Sequence, residues 1–466
     1  MTPALSPTIF REYDIRGIAD TDLCDANVLA IARAFGTYLT RKGGRRVTVA
    51  GDVRLSTERI RASVIAGLTD CGLDVIDLGV TTTPLLYWSL FELKPDGGVM
   101  ITGSHNPKEM NGLKLALGRA TLYGEEIQKV GRMALEGDFD LSARKGGTEK
   151  KDLWPDYLAM LKSKIVLDRP LHVVTDTANG TAGLGIRQFL TSLGCKVTAL
   201  YETPDGTFPN HHPDPQKSAN MADLAKLVRE VHADIGFGFD GDADRIGVVD
   251  EKGEIIWGDV LMALIWRELL PKHPGATAII EVKCSQALED EVRRLGGVPY
   301  YYKAGHSLVK AEMRRIGALF SGEYSGHMFF ADEFYGFDDS FYAAGRFLRI
   351  LSRTKGPMSA LVSDMPKYIG TEEVRIPCSD SEKFEKVKEI TDQAVKDHEA
   401  VTVDGVRILY GDGWGLIRAS NTQPVIALRC EGKDSAALER IKLDLRRRVQ
   451  AVGLDDFSWT PEPPKK

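Results

Sequence analysis

The sequence contains few cysteines, and none of them stands in a paired motif. Six cysteines are scattered over 466 residues without a C-x-x-C spacing, which argues against a disulfide framework and against a cysteine-based metal site. Isolated thiols of this kind are typical of proteins in a reducing compartment. They stand at positions 24, 71, 195, 284, 378 and 430.

Long apolar runs and an excess of positive charge are also absent. No run approaches the ~18–20 residues of a membrane helix, and the first residues lack the basic-then-apolar order of a signal peptide. The formal net charge of −6 argues against nucleic acid or a membrane surface as the main partner, so an anionic ligand would need a local basic pocket. We therefore expect a cytoplasmic protein without nucleic-acid or membrane partners. Its oligomeric state is left open.

The composition is that of a folded protein with several domains. Hydrophobic residues make up 43% of the chain and charged residues 27%, both ordinary values for a globular protein. At ~100–200 residues per domain, three or four domains are expected.

A strand–helix–strand pattern occurs three times along the chain. In each copy an amphipathic helix follows an apolar strand and ends at a glycine suited to a left-handed C-cap, and a second apolar strand comes next. This order predicts βαβ crossovers in mixed or parallel sheets covered by helices. The closing glycines are Gly72, Gly194 and Gly296; the first strands are 47–50, 172–175 and 278–282, and the second are 74–78, 195–200 and 298–302.

The last ~100 residues have a different pattern. A charged helix over 381–399 precedes short strands at 401–403, 415–418 and 425–429, which predicts an α+β module. We place the domains at 1–150, 151–252, 253–366 and 367–466. The fold class is therefore α/β, with three related mixed α/β domains and a C-terminal α+β domain.

The first polar loop, Thr102–Pro107, places the hydroxyl of Ser104 on a tight turn after an apolar run. Taken alone, this serine could equally be structural. The adjacent His105 is not read as a hydrolase partner, because neighbours in sequence rarely face each other and no G-x-S-x-G elbow is present.

The second polar loop holds three aspartates at alternate positions, Asp240, Asp242 and Asp244. In an extended backbone they would project from the same side, and an all-oxygen site suits Mg²⁺. A calcium loop is rejected because Arg245 occupies the glycine position and strands flank the loop. A dinucleotide fingerprint is rejected because no helix follows. A serine able to carry phosphate, beside a magnesium site, indicates a phosphoryl-transfer enzyme.

Three further loops carry binding chemistry. Arg418–Pro424 combines a guanidinium, hydroxyls, an amide and turn N–H groups, which suits a phosphate. In 322–327, Glu323 and Ser325 can hydrogen-bond sugar hydroxyls, although a helix-start loop is the alternative. The segment 303–307 is similar in kind, and 10–17 is weakly informative. His211 and His212, followed by prolines, are poorly placed to chelate one ion.

The loops 102–107, 240–245, 322–327 and 418–424, in this order along the chain, resemble the α-D-phosphohexomutase superfamily, and most closely its bacterial phosphomannomutase/phosphoglucomutase group. The resemblance covers essentially the whole chain. It implies a heart-shaped enzyme in which each of four domains gives one loop to a central cleft. It also implies small-molecule sugar phosphates as substrates.

The resemblance implies a role for each loop. Ser104 would carry the phosphate and, with the three aspartates, hold Mg²⁺, while Arg245 would lie beside the reacting phosphate. Glu323 and Ser325 would read the sugar 3- and 4-hydroxyls. The clamp for the non-reacting phosphate would be Arg418, Ser420, Asn421 and Thr422, and further positions that match the cleft of the family are Tyr13, Arg16, Lys114, Lys283, His306 and His327.

Two departures from the family pattern are visible. Ala243 stands where glycine is common, a change that should leave the carboxylates in place if the backbone φ there is not positive. The segment 49–56 lacks the full Arg-Asp-Gly-Arg pattern but keeps Asp52 and Arg54, so its support of the neighbouring loop is left uncertain.

The activity so indicated is a reversible 1-to-6 phosphate shift on mannose or glucose, through a hexose 1,6-bisphosphate. Lys114 and His306 are both candidates for the catalytic base, and the sequence does not choose between them. A phosphoglucosamine mutase is the nearest alternative. A Mg²⁺-dependent sugar phosphatase and a silent sugar-phosphate-binding protein are the others.

Overall fold

The computed structural model describes residues 4–421, 423–454 and 457–459, and these fall into two compact units. Unit 1 comprises Met1–Trp257 and Ser325–Leu361, and unit 2 comprises Gly258–Tyr324 and Val362–Lys466. Among the described residues, no helix combines the length and the apolar character needed to cross a membrane.

The first part of unit 1 is built on a seven-stranded sheet. The strand order is β1-β5-β4-β2-β3-β7, with β6 added beside β5. The strands are β1 (Ile15–Ile18), β2 (Arg46–Gly51), β3 (Asp74–Val80), β4 (Gly97–Ile101), β5 (Met110–Leu117), β6 (Ala120–Thr121) and β7 (Thr148–Lys150), and the helices are α1 (Asp25–Thr40), α2 (Thr57–Asp70), α3 (Thr83–Glu92) and α4 (Glu125–Glu136).

The second part of unit 1 has a five-stranded sheet of order β12-β11-β10-β8-β9. Its strands are β8 (His172–Asp176), β9 (Lys196–Leu200), β10 (Ile235–Phe239), β11 (Ile246–Asp250) and β12 (Ile255–Ile256). Helices α5 (Trp154–Lys164), α6 (Ile186–Ser192) and α7 (Ala222–Glu230) lie along the same stretch.

Unit 2 begins with α8 (Gly258–Leu269), β13 (Thr277–Glu281), α9 (Gln286–Arg294), β14 (Val298–Tyr302), α10 (His306–Ile316) and β15 (Phe320–Gly322). The chain then returns to unit 1 for β16 (Met328–Phe330) and α11 (Ser340–Ser352), and α12 (Met358–Val362) leads back to unit 2. There β17 (Ile369–Gly370), β18 (Val374–Pro377), α13 (Lys383–Asp397), β19 (Ala400–Val401), β20 (Val406–Leu409), β21 (Gly413–Ala419), β22 (Val425–Gly432) and α14 (Ser435–Ala451) complete an antiparallel α+β fold.

The three predicted crossovers are confirmed. Strands β2 and β3, β8 and β9, and β13 and β14 pair in parallel, each pair joined through a helix. The closing glycines Gly72, Gly194 and Gly296 have φ of 82°, 89° and 78°, the left-handed conformation that glycine tolerates without a Cβ penalty. The pattern is repeated because each of the three helices ends at a glycine in the left-handed conformation.

Burial explains why the strands read as apolar runs. Strand β4 and the second sheet's β10 and β11 are buried along their full length, as expected for strands covered on both faces. Both polar loops that carry the predicted chemistry follow directly after such a strand. A buried strand fixes the position of the residues at its end, which is how this fold places Ser104 and Asp240.

Candidate active site

The Ser104 loop is a tight, buried turn after β4. Ser104 has φ of 48° and is 2% exposed, and its N–H donates to Thr102 Oγ1 over 2.8 Å. Its Oγ lies 3.1 Å from His105 Nδ1. The expectation that these two neighbours do not face each other was therefore wrong.

Arg54 supports this loop from beneath. Its guanidinium is completely buried and donates over 2.6–3.0 Å to four backbone carbonyls, those of Ser104, Asn106 and Pro107 in the loop and that of Met110 at the start of β5. Asp52 accepts from the Gly103 N–H over 3.1 Å and lies 3.2 Å from Arg54 Nε. The departure at 49–56 therefore leaves the support of the Ser104 loop complete.

The aspartate loop is a turn between the antiparallel strands β10 and β11, not an extended segment. Asp240 Oδ1 accepts from the N–H groups of Asp244 and Arg245 over 3.1 and 3.2 Å. Ala243, which lies between Asp242 and Asp244, has φ of 62°. The condition on which the Ala243 substitution would be harmless is therefore not met, and this alanine occupies a conformation that costs roughly 1–2 kcal/mol relative to glycine.

The three carboxylates nevertheless converge, because the turn brings them together. Asp240, Asp242 and Asp244 are fully buried, and one carboxylate oxygen of each lies within 4.8 Å of the others. Oδ1 of Asp242 and Oδ1 of Asp244 have no hydrogen-bond partner among the described residues. Buried anionic oxygens without a donor are costly, and a hard cation would satisfy them. The donor set fits a metal ion.

Ser104 and Lys114 complete the cluster. Ser104 Oγ donates to Asp240 Oδ2 over 2.8 Å, and Lys114 Nζ lies 2.8 Å from Asp242 Oδ2 and 2.5 Å from Asp244 Oδ2. Burial acts to lower the pKa of Lys114, but the two carboxylates outweigh it and raise that pKa well above its usual value. Burial and the neighbouring aspartates raise the pKa of Asp240.

Arg245 is oriented by a histidine from later in the chain. Its Nε donates to His327 Nε2 over 2.9 Å, which requires the proton of a neutral His327 ring to be on Nδ1. That nitrogen lies 2.9 Å from Asp338 Oδ2 and 3.5 Å from Asp244 Oδ1. The carboxylate of Asp338, which no sequence motif marked, thus lies within ion-pair distance of the ring that holds Arg245.

Arg16 lies beside the Ser104 loop. Its Nε donates to Asp14 Oδ2 over 2.7 Å and its Nη1 to Asn106 Oδ1 over 3.1 Å. Tyr13, half-buried, precedes this pair, and the buried Ser325 also belongs to unit 1. Unit 1 therefore holds the following predicted residues: Tyr13, Arg16, Ser104, Lys114, Asp240, Asp242, Asp244, Arg245, Ser325 and His327.

The remaining predicted residues belong to unit 2. Lys283 Nζ lies 3.6 Å from Glu281 Oε1 and 4.0 Å from Glu373 Oε2. Glu323 Oε1 accepts from the Gly305 N–H over 2.5 Å, one residue before α10 begins at His306. Arg418 lies within β21, Ser420 and Asn421 follow directly after it, and the predicted Thr422 is outside the described residues.

Asp404 is a residue of this region that the sequence reasoning missed. Its Oδ2 accepts from Arg418 Nε over 3.0 Å and from the Ala304 N–H over 3.2 Å. One carboxylate oxygen therefore orients the guanidinium and anchors the segment before His306. An Asp-Gly pair before a strand reads as an ordinary turn, so no local signal distinguishes Asp404.

Models of four protein-family domains together match most of the chain. The phosphoglucomutase/phosphomannomutase alpha/beta/alpha domains I, II and III match residues 7–139, 155–253 and 257–368, and the C-terminal domain of that family matches 373–448. This confirms the four-domain α/β architecture.

Individual relatives agree along their full length. A phosphomannomutase/phosphoglucomutase of Pseudomonas aeruginosa is 42% identical over 451 residues, 97% of either chain. A phosphoglucomutase of Neisseria meningitidis is 39% identical, over 95% of this chain and 97% of its own. A crystal structure of a phosphoglucomutase/phosphomannomutase family protein from Burkholderia thailandensis matches with a TM-score of 0.89 and 40% identity, covering 96% of this chain and 98% of its own.

The prediction of a phosphohexomutase, an isomerase that transfers phosphate within the sugar, is confirmed over its alternatives: the chain belongs to the phosphoglucomutase/phosphomannomutase family.

Proposed function

We propose that this protein interconverts hexose 1-phosphates and hexose 6-phosphates of mannose, glucose or both, through a phosphorylated Ser104. The observation that carries the proposal is the contact between Ser104 Oγ and the buried carboxylate cluster, 2.8 Å from Asp240 Oδ2. A hydroxyl at this distance from a cation-binding set can carry a phosphate whose charge the cation balances. We take mannose and glucose as the sugars from the names of the relatives given above.

The proposed metal is Mg²⁺, held by Asp240, Asp242 and Asp244 together with an oxygen on Ser104. The three ligands are carboxylates without a nitrogen or sulfur donor, which is the donor set that Mg²⁺ prefers. A bound Mg²⁺ would withdraw charge from the oxygens of the transferring phosphoryl group. Lys114 would then be drawn off one or both of its two aspartate contacts, because the cation competes for the same oxygens.

In the proposed first step, the bond between phosphorus and Ser104 Oγ breaks and a bond forms to the free hydroxyl of the sugar phosphate, which gives a 1,6-bisphosphate. In the second step, the other phosphate returns to Ser104. Arg245, held by His327, would balance charge on the group in transfer. We assign the non-reacting phosphate to Arg418, Ser420, Asn421 and Thr422, with Lys283, Tyr13 and Arg16 as further binding residues. Glu323 and Ser325 are assigned to the sugar hydroxyls.

The sugar hydroxyl must lose a proton, and we retain Lys114 and His306 as candidates. The carboxylates around Lys114 raise its pKa, which favours the ammonium form and the role of a counter-charge. His306 begins α10 and is buried. We therefore favour His306 as the base and Lys114 as an electrostatic partner of the aspartates. The four domains are proposed at 1–150, 151–252, 253–366 and 367–466.

The test is an isomerisation assay with mannose, glucose and glucosamine 1-phosphates, Mg²⁺ and catalytic bisphosphate. Wild type and Ser104→Ala are compared, with Ser192→Ala as a control at an exposed helix end. We expect activity in wild type and in the control, and a loss of at least about a thousandfold for Ser104→Ala, because the phosphate carrier is removed. Equal activity in Ser104→Ala would refute the phosphoserine role. Inorganic phosphate as the main product would instead favour a phosphatase.

A further inference from the structure

Lys383 is a buried lysine that contacts the backbone of the loop predicted to bind phosphate. It is the first residue of α13 and is 2% exposed. Its Nζ donates to the carbonyl oxygens of Ser420 and Gln423 over 2.5 and 3.0 Å. A third contact, to Asp380 Oδ1 over 2.5 Å, supplies a negative charge. All of these residues belong to unit 2.

A cation at this position is unfavourable on general grounds. The N-terminus of a helix carries partial positive charge, which repels an ammonium group, and burial of a charge is unfavourable unless the charge is paired. A smaller or neutral residue would avoid both costs. The two carbonyls and Asp380 therefore offset the unfavourable burial of the Lys383 charge. In return, Lys383 holds the loop in one specific arrangement.

The side chain and the carbonyl of Ser420 have different partners. The Gln423 N–H donates to Ser420 Oγ over 3.2 Å, while the Ser420 carbonyl accepts from Lys383 Nζ. A side chain from another element thus holds this carbonyl.

The orientation of this carbonyl decides which groups the turn presents to a ligand. In a trans peptide the C=O and N–H bonds point in opposite directions, and the described residues contain no cis peptide. With the Ser420 carbonyl directed at Lys383, the N–H of Asn421 points away from α13. Two carbonyl dipoles that would repel an anion are thereby kept on the lysine side, and an anion-binding N–H is on the other side.

We propose that Lys383 is a positioning residue for anion binding, which holds the carbonyls of Ser420 and Gln423 so that the N–H of Asn421 is available to the phosphate group of the substrate. The proposal rests on the function proposed above, because that function makes the turn a phosphate clamp. Lys383 acts through the backbone and does not itself contact the substrate. Its replacement should therefore weaken phosphate binding more than it slows the chemical step.

The experiment compares Lys383→Met, Lys383→Arg and Lys386→Met with wild type. Lys386 is a matched control because it lies on the same helix and donates to a backbone carbonyl, that of Val452, over 3.1 Å, outside the phosphate turn. We expect Lys383→Met to raise the KM for mannose 1-phosphate by about tenfold or more, the effect of losing charge-assisted hydrogen bonds, with kcat within about threefold. Lys383→Arg should recover part of the loss, and Lys386→Met should leave KM unchanged.

Binding measured by calorimetry separates this proposal from the proposed function. Mannose 1-phosphate and unphosphorylated mannose are titrated into each folded variant, without turnover being required. If wild type binds the phosphate ester but shows no isomerisation, the proposed function fails while Lys383 can still be tested. An unchanged affinity in Lys383→Met, or an equal loss in Lys386→Met, would overturn the proposal. If Lys383→Met does not fold, Lys383→Gln, which keeps a neutral donor, gives the same comparison.

Discussion

Ser104 Oγ and Asp240 Oδ2 are joined by a hydrogen bond of 2.8 Å although 136 positions separate them in the chain. A second link runs beside it, because Thr83 Oγ1 donates to Asp242 Oδ2 over 2.6 Å. The serine turn at the end of β4 and the aspartate turn between β10 and β11 therefore form one buried polar centre within unit 1. A phosphate on Ser104 would lie directly beside the carboxylates that are fitted to hold its cation.

Metal binding at the three aspartates should stabilise the fold. A cation present at about 100 times its dissociation constant adds about 2.7 kcal/mol to the free energy of unfolding, because it relieves repulsion among buried carboxylates. We expect Mg²⁺ to raise the melting temperature of wild type and a chelator to reverse the rise. Asp242→Asn should lose most of this effect.

Asp250→Asn is the control for the metal experiment, because Asp250 is a buried aspartate at the end of β11 that accepts backbone N–H groups outside the cluster. Its response to Mg²⁺ should match that of wild type. An equal shift in all three proteins would show that the cation binds elsewhere.

Replacing Arg54 by lysine should destabilise the protein and disable the Ser104 loop. Lysine cannot donate from a planar fork to four carbonyls, so some of these buried acceptors lose their partners at ~1–3 kcal/mol each. We expect the free energy of unfolding to fall by about 2–4 kcal/mol in urea denaturation. The control is Arg59→Lys, at a partly exposed arginine that also donates to backbone carbonyls. Its free energy of unfolding should fall by less than about 1 kcal/mol. Similar losses at both sites would contradict the account.

Glycine at position 243 should be tolerated better than glycine at an ordinary alanine site. Ala243 has φ of 62°, whereas Ala225 lies within α7, and both methyl groups are buried. Ala225→Gly should cost about 1 kcal/mol, while Ala243→Gly regains the penalty of a left-handed alanine. The two free energies of unfolding should therefore differ by about 1–2 kcal/mol in favour of Ala243→Gly. Equal losses would show that no strain is stored at Ala243.

The pairing of His211 with Asp176 should make stability depend on pH. Burial acts to lower the pKa of His211, but the hydrogen bond to Asp176, with His211 Nε2 3.0 Å from Asp176 Oδ2, outweighs it and raises that pKa. A raised histidine pKa stabilises the fold below ~6.5, the unfolded value, and the contribution is lost as the pH rises through the folded value.

The free energy of unfolding of wild type minus that of His211→Gln should accordingly be larger at pH 6 than at pH 8, by less than about 1 kcal/mol for this part-buried pair. The same comparison is made for His273→Gln, at an exposed histidine, as the control for loss of an imidazole away from Asp176. A difference for His211 that grows towards pH 8 would contradict the assignment.

Local patterns were enough to predict the crossovers. The repeated closing glycines and apolar strands depend on rules that act within a few residues, and the structure follows them. The convergence of the aspartates was predicted for the wrong reason, since a turn with a left-handed Ala243 brings them together. Backbone φ at a non-glycine residue cannot be read from residue identity alone.

The supporting residues were less predictable because no local pattern links them to the residues that they contact. Asp338 lies within ion-pair distance of His327, Asp404 holds Arg418, and Arg54 reaches carbonyls more than fifty positions away. Each is an ordinary charged residue in its own neighbourhood, and only the folded chain gives it a partner. Motifs therefore located the groups proposed to react, and the structure was needed to find those that orient them.

The central claim is that Ser104 carries the transferable phosphate. The most direct test is to incubate the protein with a hexose 1,6-bisphosphate and Mg²⁺, locate any phosphate by peptide mass spectrometry, and then add hexose 1-phosphate. The account predicts a single phosphate on the peptide that contains Ser104 and its transfer to the sugar, with bisphosphate as the product. A phosphate on another residue, or one on Ser104 that the sugar cannot remove, would contradict it.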